Sequence, residues 1–413
     1  MKVALVIHHY GPRSGGAESW TDRHARMLLA DGHEVHLVAA TINGAPRGAL
    51  RHVLDGRGVD QRTFADNAAQ LLDTLDVDVV HDMGHGWRAD VFMPHHGTQR
   101  AVYEQKSKLL VPPERWLRPM AYHCLPRYVR FKRRERRQYQ IADNKHFIAV
   151  SDMVRRQMIK YHRVPDERIR VVYNGVDVQH FRPALSTEDT AARQRLREEL
   201  SLGDETVFLF VSYDFDLKGL WTALRSLRDL ISEGERAALM VVGPGSMKGK
   251  KIWGLPVGRA IDRYPRLARN WDCLEAVRFA GLQDNPAPFY QAADVYLQPT
   301  LYDACSLVVL EAMACGLPVI TSGRNGVSEL IRDGAEGLVV ADPQDVRGVT
   351  TAMRHFMDPA RRRAAGRVAR RLAERHSARI NFDQVMALYD HLLDRRTDTA
   401  PSPAHAAMAH AAT

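Results

Sequence analysis

The sequence predicts an α/β protein built from two doubly wound domains, each with a parallel β-sheet covered by helices. With 413 residues, the chain is longer than one hydrophobic core usually organises, so two domains are expected. Short apolar runs rich in β-branched residues alternate with helical stretches in both halves, which is the rhythm of parallel sheets. Between the two series, residues 183–203 are polar and charged, and we expect the inter-domain connection there.

The first half, residues 1–183, forms the predicted N-terminal domain. Asp31-Gly32 marks the end of its first helix, and Pro126 is a favoured first-turn residue for a later, basic helix. The expected strands are 3–7, 34–40, 77–81, 91–93, 146–150 and 169–173, and the expected helices are 17–30, 64–75, 126 to about 142 and 152–161.

The second half, residues 201–375, forms the predicted C-terminal domain. Residues 396–413 are rich in Thr, Pro, Ser, Ala and His, a composition typical of a disordered tail. The expected strands are 207–213, 238–242, 277–279, 295–298, 319–321 and 337–340, and the expected helices are 219–232, 307–314 and a last one at 381–393.

The composition is that of a soluble globular protein, with 45% hydrophobic and 26% charged residues. The four cysteines form no Cys-x-x-Cys pair, which favours reduced thiols in a cytosolic protein. The chain has no run of 18 apolar residues, and the apolar run after Met1-Lys2 is too short for a signal-peptide core. We therefore expect the protein in the cytoplasm.

Much of the net charge of +9 is concentrated between residues 115 and 137, where nine Arg or Lys accompany a single acid, Glu135. Aromatic and apolar residues are interleaved with these bases. The mixture favours contact with an anionic membrane surface or a glycolipid acceptor; a solvated helix face and a nucleic-acid site are the alternatives. The residues expected at this surface are Arg127, Arg130, Lys132, Arg133 and Arg134.

Residues 302–318 carry the most informative pattern, two acids eight positions apart across a loop that turns into a helix. Asp303 and Ser306 suit a helix start, the following residues are apolar apart from Glu311, and Gly316-Leu317-Pro318 is a stop signal. A helix that begins here offers backbone N–H groups that can hold a phosphate. Carboxylates accept paired hydrogen bonds from a sugar diol but repel phosphates. An amphipathic helix with one solvated Glu is the alternative.

This pattern resembles the acid-x7-Glu signature of the retaining glycosyltransferases of family 4, which have the GT-B fold. In that fold two Rossmann-like domains face each other across a cleft, and a C-terminal helix, here about 378–395, crosses back to the first domain. The resemblance implies that Glu311 holds the ribose hydroxyls of a sugar nucleotide. Asp303, which replaces the usual Glu, would contact the transferred sugar. Further donor contacts are implied for Cys305, Ser306 and Leu307.

Two glycine turns also match the family. Gly15-Gly16 follows the first strand and opens a helix, where paired glycines let a substrate approach the backbone. Family members have such a pair opposite the donor. Gly243-Pro244-Gly245 fits neither a dinucleotide fingerprint nor a phosphate loop, and resembles the family turn beneath the nucleotide. A plain structural turn is the alternative for both segments.

Lys218-Gly219 resembles the family's Lys-Gly pair at a helix start, whose Lys neutralises the donor diphosphate. Many members carry an Arg six residues earlier, but Ser212 occupies that position here. His95 and His96 follow the strand at 91–93, and family members have a His close to the transferred sugar at such a strand end. Either one could donate to a sugar hydroxyl or stabilise a charged transition state. A solvated Lys and a packing His are the alternatives.

The resemblance to this family implies a retaining, metal-independent hexosyltransferase that uses a nucleoside-diphosphate sugar, with a UDP-sugar as the expected donor. The resemblance to bacterial lipopolysaccharide core glycosyltransferases implies a glycan or glycolipid acceptor, cell-envelope polysaccharide synthesis and peripheral contact with the cytoplasmic face of the inner membrane. No cofactor and no nucleic-acid partner are expected, because the nucleotide sugar is a substrate and basic groups can do the work of a metal.

Two other classes of protein stay open at this point. A different Rossmann nucleotide-dependent enzyme, such as an oxidoreductase, would carry an intact glycine fingerprint with an acid about 20 residues later, and neither half supplies one. A non-catalytic basic protein that binds membranes or nucleic acid would not need Asp303, Glu311 and Lys218 together.

Overall fold

The computed structural model describes residues 1–11, 15–54, 60–107, 116, 126–142, 145–244, 251–252, 255–256 and 263–399, with the backbone alone for 126–127, 251–252, 255–256 and 396–399. The chain forms two compact units. The first comprises Met1–Met93, Arg137–Ile148 and Asn381–Thr413, and the second comprises Pro94–Arg136 and Ala149–Ile380. The expected boundaries at 183, 201 and 375 stay predictions, and Cys124 and the tail from residue 400 lie outside the described residues.

The strands agree closely with the expected periodicity. In chain order they are β1 (Lys2–Val6), β2 (His9–Tyr10), β3 (Glu34–Ala39), β4 (Thr41–Ile42), β5 (Leu50–Val53), β6 (Val79–Asp82), β7 (Val91–Phe92), β8 (His146–Ala149), β9 (Ile169–Val171), β10 (Thr206–Val211), β11 (Ala237–Val242), β12 (Lys251–Ile252), β13 (Leu255–Pro256), β14 (Val277–Gly281), β15 (Val295–Gln298), β16 (Val319–Ser322) and β17 (Gly337–Val340).

The helices alternate with these strands. They are α1 (Gly16–Ala30), α2 (Gln61–Thr74), α3 (Gln99–Ser107), α4 (Pro126–Gln138), α5 (Asp152–His162), α6 (Thr187–Glu199), α7 (Phe215–Lys218), α8 (Leu220–Ser232), α9 (Arg263–Asn270), α10 (Ala287–Ala292), α11 (Leu307–Ala314), α12 (Val346–His355), α13 (Pro359–Arg375) and α14 (Ala378–Thr399).

In the first unit, parallel strands lie side by side in the order β5-β3-β1-β6-β7-β8. The central strand β1 is apolar from Val3 to Val6 and fully buried, as expected for a parallel strand covered on both faces. On one face, Phe64 and Leu72 of α2 pack against Val6 and neighbouring strand residues. The predicted parallel-sheet architecture is therefore confirmed for this unit.

Helix α14 is tied into the first unit by buried polar contacts. The indole of Trp20 donates to Asn381 Oδ1 at 2.9 Å and stacks on His24 with ring centroids 4.6 Å apart. The Tyr389 hydroxyl lies 3.1 Å from His24 Nε2 and 2.5 Å from His81 Nδ1. Burial lowers the pKa of His24 to about 3, so this ring is neutral at physiological pH.

In the second unit, six parallel strands have the order β14-β11-β10-β15-β16-β17. Helix α8 covers one face with Leu220, Leu224 and Leu227, which recur at helical spacing and are fully buried against strand residues such as Phe208. Because all these strands are parallel, the loops after β10, β11, β15 and β16 leave the same edge of the sheet. That edge is where doubly wound sheets bind ligands.

Several short or polar elements were not expected from the sequence, namely strands β2, β4, β5, β12 and β13 and helices α3, α6, α7, α9, α10, α12 and α13. The segment predicted as the connection, 183–203, contains helix α6, which begins with a capping box between Ser186 and Asp189. The basic run before the last helix is itself helical and forms α13, whose N-cap is Asp358. Strand β5 joins the edge of the first sheet. For α6, high polarity was taken as a sign of a connecting segment, although the cap residues Ser186 and Asp189 are visible in the sequence.

Gly219 is required by a close approach between two loops of the second unit. Its φ is +85°, and a Cβ there would lie 2.0 Å from the Pro299 carbonyl oxygen. We expect Gly219→Ala to lower the free energy of unfolding by about 2 kcal/mol more than Gly234→Ala, measured by urea denaturation. Gly234 is the matched control because its φ is +91° but no atom lies within 4 Å of the added Cβ. Equal destabilisation by the two variants would contradict this account.

Candidate functional site

Most of the catalytic and donor-binding candidates singled out from the sequence lie at the carboxyl edge of the second sheet. They come from the segments after β10, β11 and β15, which are neighbouring strands and leave that edge next to one another. Gly15 and Gly16 lie in the first unit instead, at the start of α1. The second sheet therefore brings Lys218, Asp303 and Glu311 into one region.

Lys218 and Asp303 form an ion pair across neighbouring loops. The Lys218 Nζ donates to Asp303 Oδ2 at 2.5 Å and to the Tyr302 carbonyl at 3.3 Å. The two side chains are only 19% and 16% exposed. In the backbone, Asp303 donates its N–H to Arg324 and accepts from the N–H of Gly326, at 3.0 and 2.9 Å. The sequence pattern predicted separate roles for the two charges and did not predict that they pair.

Glu311 projects from α11 and is held by a buried phenol. The Tyr290 hydroxyl donates to Glu311 Oε2 at 2.8 Å, and Tyr290 itself is fully buried on α10. Burial and the nearby Glu311 charge raise the pKa of Tyr290 well above its ordinary value, so the phenol stays a donor. A carboxylate accepts several hydrogen bonds. Because Tyr290 holds one oxygen of Glu311, the orientation of the carboxylate toward further donors, such as a diol, is set.

The polar groups of Ser306, at the start of α11, already have hydrogen-bond partners within the chain. The N–H of Ser306 donates to Asn325 Oδ1 at 3.3 Å, and its hydroxyl donates to Gln298 Oε1 at 3.1 Å. The expectation of an open N–H at Ser306 is thus corrected, because Asn325 reaches across from the loop after β16. Leu307 is the first residue of α11, where helix geometry supplies no backbone acceptor for the N–H.

Cys305 faces the interior of its loop. It is buried, and its sulfur and carbonyl oxygen accept from the backbone and side-chain amides of Asn174, at 3.4 and 2.8 Å. Burial raises the pKa of the Cys305 thiol, which therefore stays protonated. The thiol and the carbonyl oxygen thus hold two segments together, and the expected contact of Cys305 with a donor stays a prediction.

The turn that carries His95 and His96 packs against the loop of Asp303. Within it, Gly97 donates its N–H to the Pro94 carbonyl at 2.8 Å. Gly97 has a φ of +69°, and a Cβ there would lie 2.0 Å from the Tyr302 hydroxyl. His95 is buried and His96 is exposed. The turn thus lies beside the residue that precedes Asp303, and both histidines stay candidates.

Gly243 serves packing at the base of the site. A Cβ there would lie 2.0 Å from the Ser212 carbonyl oxygen, and the N–H of Gly243 donates to Gly281 at 2.8 Å. The structural alternative named for this turn accounts for the glycine, while its continuation through Gly245 lies outside the described residues.

Asp214 was not among the expected site residues, although an Asp before a helical turn is a typical N-cap. It caps α7 by accepting from Leu217 N–H at 3.0 Å and is paired with Lys106 at 3.0 Å. Burial alone would raise the pKa of Asp214, but the charges of Lys106 and Lys218 and the cap hydrogen bond lower it overall. The carboxylate therefore stays ionised beside Lys218.

The basic helix α4 exposes arginines along one side. Arg130, Arg133 and Arg136 recur every three residues and are exposed, whereas Lys132 and Arg134 are half-buried. The side chain of Arg127 lies outside the described residues. We call Arg130, Arg133 and Arg136 the arginine stripe. Arg137 is also exposed, but its guanidinium pairs with Asp66 at 3.0 Å.

Glu135, the acid of the basic helix, points inward. It is buried, accepts from the N–H of Gln99 at 2.9 Å and lies 3.2 Å from His162 Nε2. It therefore caps the N-terminus of α3 rather than offsetting surface charge.

Two kinds of feature are absent from the described part of the chain. No group of three or more His, Cys, Asp or Glu there is arranged to hold a metal ion. Among the same residues, no helix is long and apolar enough to cross a membrane.

Two family models match the chain, one in each half. A model described as Glycosyltransferase Family 4 matches residues 14–180, and a model described as Glycosyl transferases group 1 matches residues 205–358. The D-inositol 3-phosphate glycosyltransferase of Acidothermus cellulolyticus is 32% identical over 253 residues, which are 59% of this chain and 52% of that protein. The match thus spans about half the length of that relative.

Two solved structures have a similar fold. WaaG, a glycosyltransferase involved in lipopolysaccharide biosynthesis, has a TM-score of 0.76 at 20% identity, covering 94% of this chain and 99% of that one. HepE from Anabaena, in complex with UDP and glucose, has a TM-score of 0.67 at 17% identity, covering 95% of this chain and 100% of that one. At these identities the likeness shows a shared fold with two parallel-sheet domains.

The low exposure of Lys218 and Asp303 predicts energetic coupling between them. In a double-mutant cycle with Lys218→Met and Asp303→Asn, we expect a coupling energy of about 2 kcal/mol from urea denaturation, because each single variant leaves a partly buried charge without its partner. A matched cycle with Arg236→Met and Asp204→Asn, an ion pair that is 71% and 75% exposed, should give coupling near zero. Similar coupling in the two cycles would contradict this interpretation.

Proposed function

Because the chain belongs to glycosyltransferase family 4 and has the GT-B fold, we propose that it transfers a hexose from a nucleoside-diphosphate sugar to a glycan or glycolipid acceptor. The observation that carries the proposal is the placement of Glu311, Lys218 and Asp303 at one edge of the second sheet. A diol-binding carboxylate and a phosphate-binding cation at one edge suit a sugar nucleotide.

In this proposal Glu311 accepts hydrogen bonds from the two ribose hydroxyls of the donor. The Tyr290 phenol supports that role because it orients the carboxylate from a fully buried position. Lys218 neutralises the diphosphate, together with the first N–H groups of α11. A UDP-sugar is the proposed donor, supported by the complex of the similarly folded HepE with UDP and glucose.

We propose that transfer proceeds with retention at the anomeric carbon. The bond between the anomeric carbon and the diphosphate oxygen breaks, and a bond to the acceptor oxygen forms on the same face of the sugar. The acceptor proton passes to an oxygen of the departing phosphate. Lys218 stabilises the negative charge that develops on the diphosphate, and Asp303 orients the sugar. No metal ion or other cofactor takes part in this proposal, since the cation and the helix N–H groups supply the positive charge.

The remaining candidates have supporting roles in the same proposal. His95 or His96 donates a hydrogen bond to a hydroxyl of the transferred sugar, supported by the packing of their turn against Tyr302. Gly15 and Gly16 line the acceptor side at the start of α1. For the acceptor we propose only a class of molecule, a glycan or glycolipid. The similar proteins differ on this point, since one is named for inositol phosphate and another for lipopolysaccharide biosynthesis.

We propose further that the arginine stripe of α4 contacts an anionic membrane surface that carries the acceptor. The support is the exposure of Arg130, Arg133 and Arg136 on one side of a helix. The protein would then be peripheral on that surface.

The donor role of Glu311 is tested with Glu311→Ala. We expect transfer from UDP-sugars to be lost and UDP affinity to fall ~10- to 100-fold, because hydrogen bonds to a charged group are removed. Nucleotide binding is measured by calorimetry, and turnover by UDP release across a panel of donor sugars.

The matched control is Glu199→Ala, an exposed helical Glu of α6, which should retain both properties. Full activity of Glu311→Ala would reject the ribose role. If the unmodified protein bound no nucleotide sugar but bound anionic vesicles, the alternative of a non-catalytic basic protein would replace the proposal.

Membrane contact is tested with Arg130→Glu combined with Arg133→Glu. We expect association with vesicles containing anionic lipid to weaken at least ~10-fold in sedimentation assays, since each base near such a surface contributes about 1 kcal/mol. The same charge change at Arg371 and Arg375, both exposed on α13, is the control. Equal binding by all three proteins would make the stripe an ordinary solvated face.

A further inference from the structure

The last turn of helix α3 contacts the carboxyl edge of the second sheet, and the contacts are made by its side chains. The Arg324 guanidinium donates to Gln105 Oε1 at 3.0 Å, and Lys106 Nζ donates to Asp214 Oδ2 at 3.0 Å. Asp214 follows β10 and Arg324 follows β16, and β15 lies between these two strands. The last turn of α3 therefore contacts the loops on both sides of the one that carries Asp303.

These contacts bring further positive charge to the Lys218–Asp303 pair. Asp214 is the N-cap of α7, whose last residue is Lys218, and Lys106 and Lys218 both stabilise its ionised form. On the other side, the Arg324 carbonyl accepts the N–H of Asp303. Lys106, Lys218 and Arg324 thus accompany two carboxylates, Asp214 and Asp303, which leaves one positive charge in excess.

The position where many family members have an Arg offers no cation in this chain. Ser212 stands there, and its hydroxyl accepts the N–H of Asp214 at 2.9 Å. A diphosphate carries more negative charge than Lys218 alone can balance, and Lys218 is already paired with Asp303. A second cation at this edge must come from a segment other than the loop after β10.

We propose that Lys106 is a binding residue for the diphosphate of the donor and supplies this second cation. The inference rests on the proposed function and deepens it by assigning α3 to the donor site. Lys106 and Asp214 are 41% and 42% exposed, so their ion pair is weak and exchange of the carboxylate for a diphosphate costs little. The flexible Lys side chain allows that exchange.

Helix α3 is held in place for this role at its other end. Glu135 accepts the N–H of Gln99, the Tyr103 ring packs on Tyr128 with centroids 5.2 Å apart, and Gly97 packs against Tyr302. A helix anchored at its N-terminus presents its last turn to the site with little loss of freedom on binding.

The test compares Lys106→Met with Arg100→Met, which removes the same charge at the other end of α3. We expect Lys106→Met to bind UDP ~10-fold more weakly, because one charged hydrogen bond is lost, and to bind uridine with unchanged affinity. Arg100→Met should bind both as the unmodified protein does. Binding is measured by calorimetry, and circular dichroism verifies that the variants are folded.

A double variant separates direct contact from simple neutralisation of Asp214. If Lys106 contacts the diphosphate, adding Asp214→Asn leaves UDP binding weak; Asn is also a good N-cap, so α7 is preserved. Restoration to full affinity would overturn the inference, as would full affinity in Lys106→Met alone. Failure of the unmodified protein to bind UDP, GDP or ADP would overturn the proposed function instead.

Discussion

The ion pair between Lys218 and Asp303 joins the loops that follow neighbouring strands β10 and β15, and the arrangement of the site depends on it. An unpaired charge at either of these largely buried positions would lower the free energy of unfolding, so each residue stabilises the position of the other. The close approach of Gly219 to Pro299 brings the same loops together through the backbone. The edge is thereby held in this arrangement by contacts within the chain itself.

Two departures from the family pattern meet at this place. The acid at position 303 is Asp where Glu is usual, and residue 212 is Ser where many members have Arg. In the structure Asp303 pairs with Lys218, and the Ser212 hydroxyl accepts a hydrogen bond from the N–H of Asp214. Considered one at a time, each substitution weakens the resemblance. With Lys106 included, the positive charge at this edge comes from α3 as well as from the Lys218-Gly219 segment. The two substitutions are then compatible with a site whose charges are spread over several segments.

Elements with local signals could be predicted from the sequence, while partners across loops could not. The strand before Asp303, the start of α11 and the Lys218-Gly219 turn are encoded within a few residues, and the structure places them close to the expected positions. By contrast, the contact of Tyr290 with Glu311 and that of Asn325 with Ser306 depend on which loops the strand order makes neighbours. Helix α6 was missed for a different reason: its capping residues were visible, but its polarity resembled that of a linker.

Substitutions in the basic helix α4 should differ in their effect, because Glu135 is buried and the arginine stripe is exposed. Arginines of the exposed stripe can be exchanged, added or lost with effects confined to the surface, because their side chains are in water. Glu135 is buried under the first turn of α3 and accepts hydrogen bonds from its first N–H groups. Replacing it therefore loosens a helix whose last turn contacts the carboxyl edge of the second sheet. In a set of related sequences, the bases of this segment should therefore drift in number and position while its one acid persists.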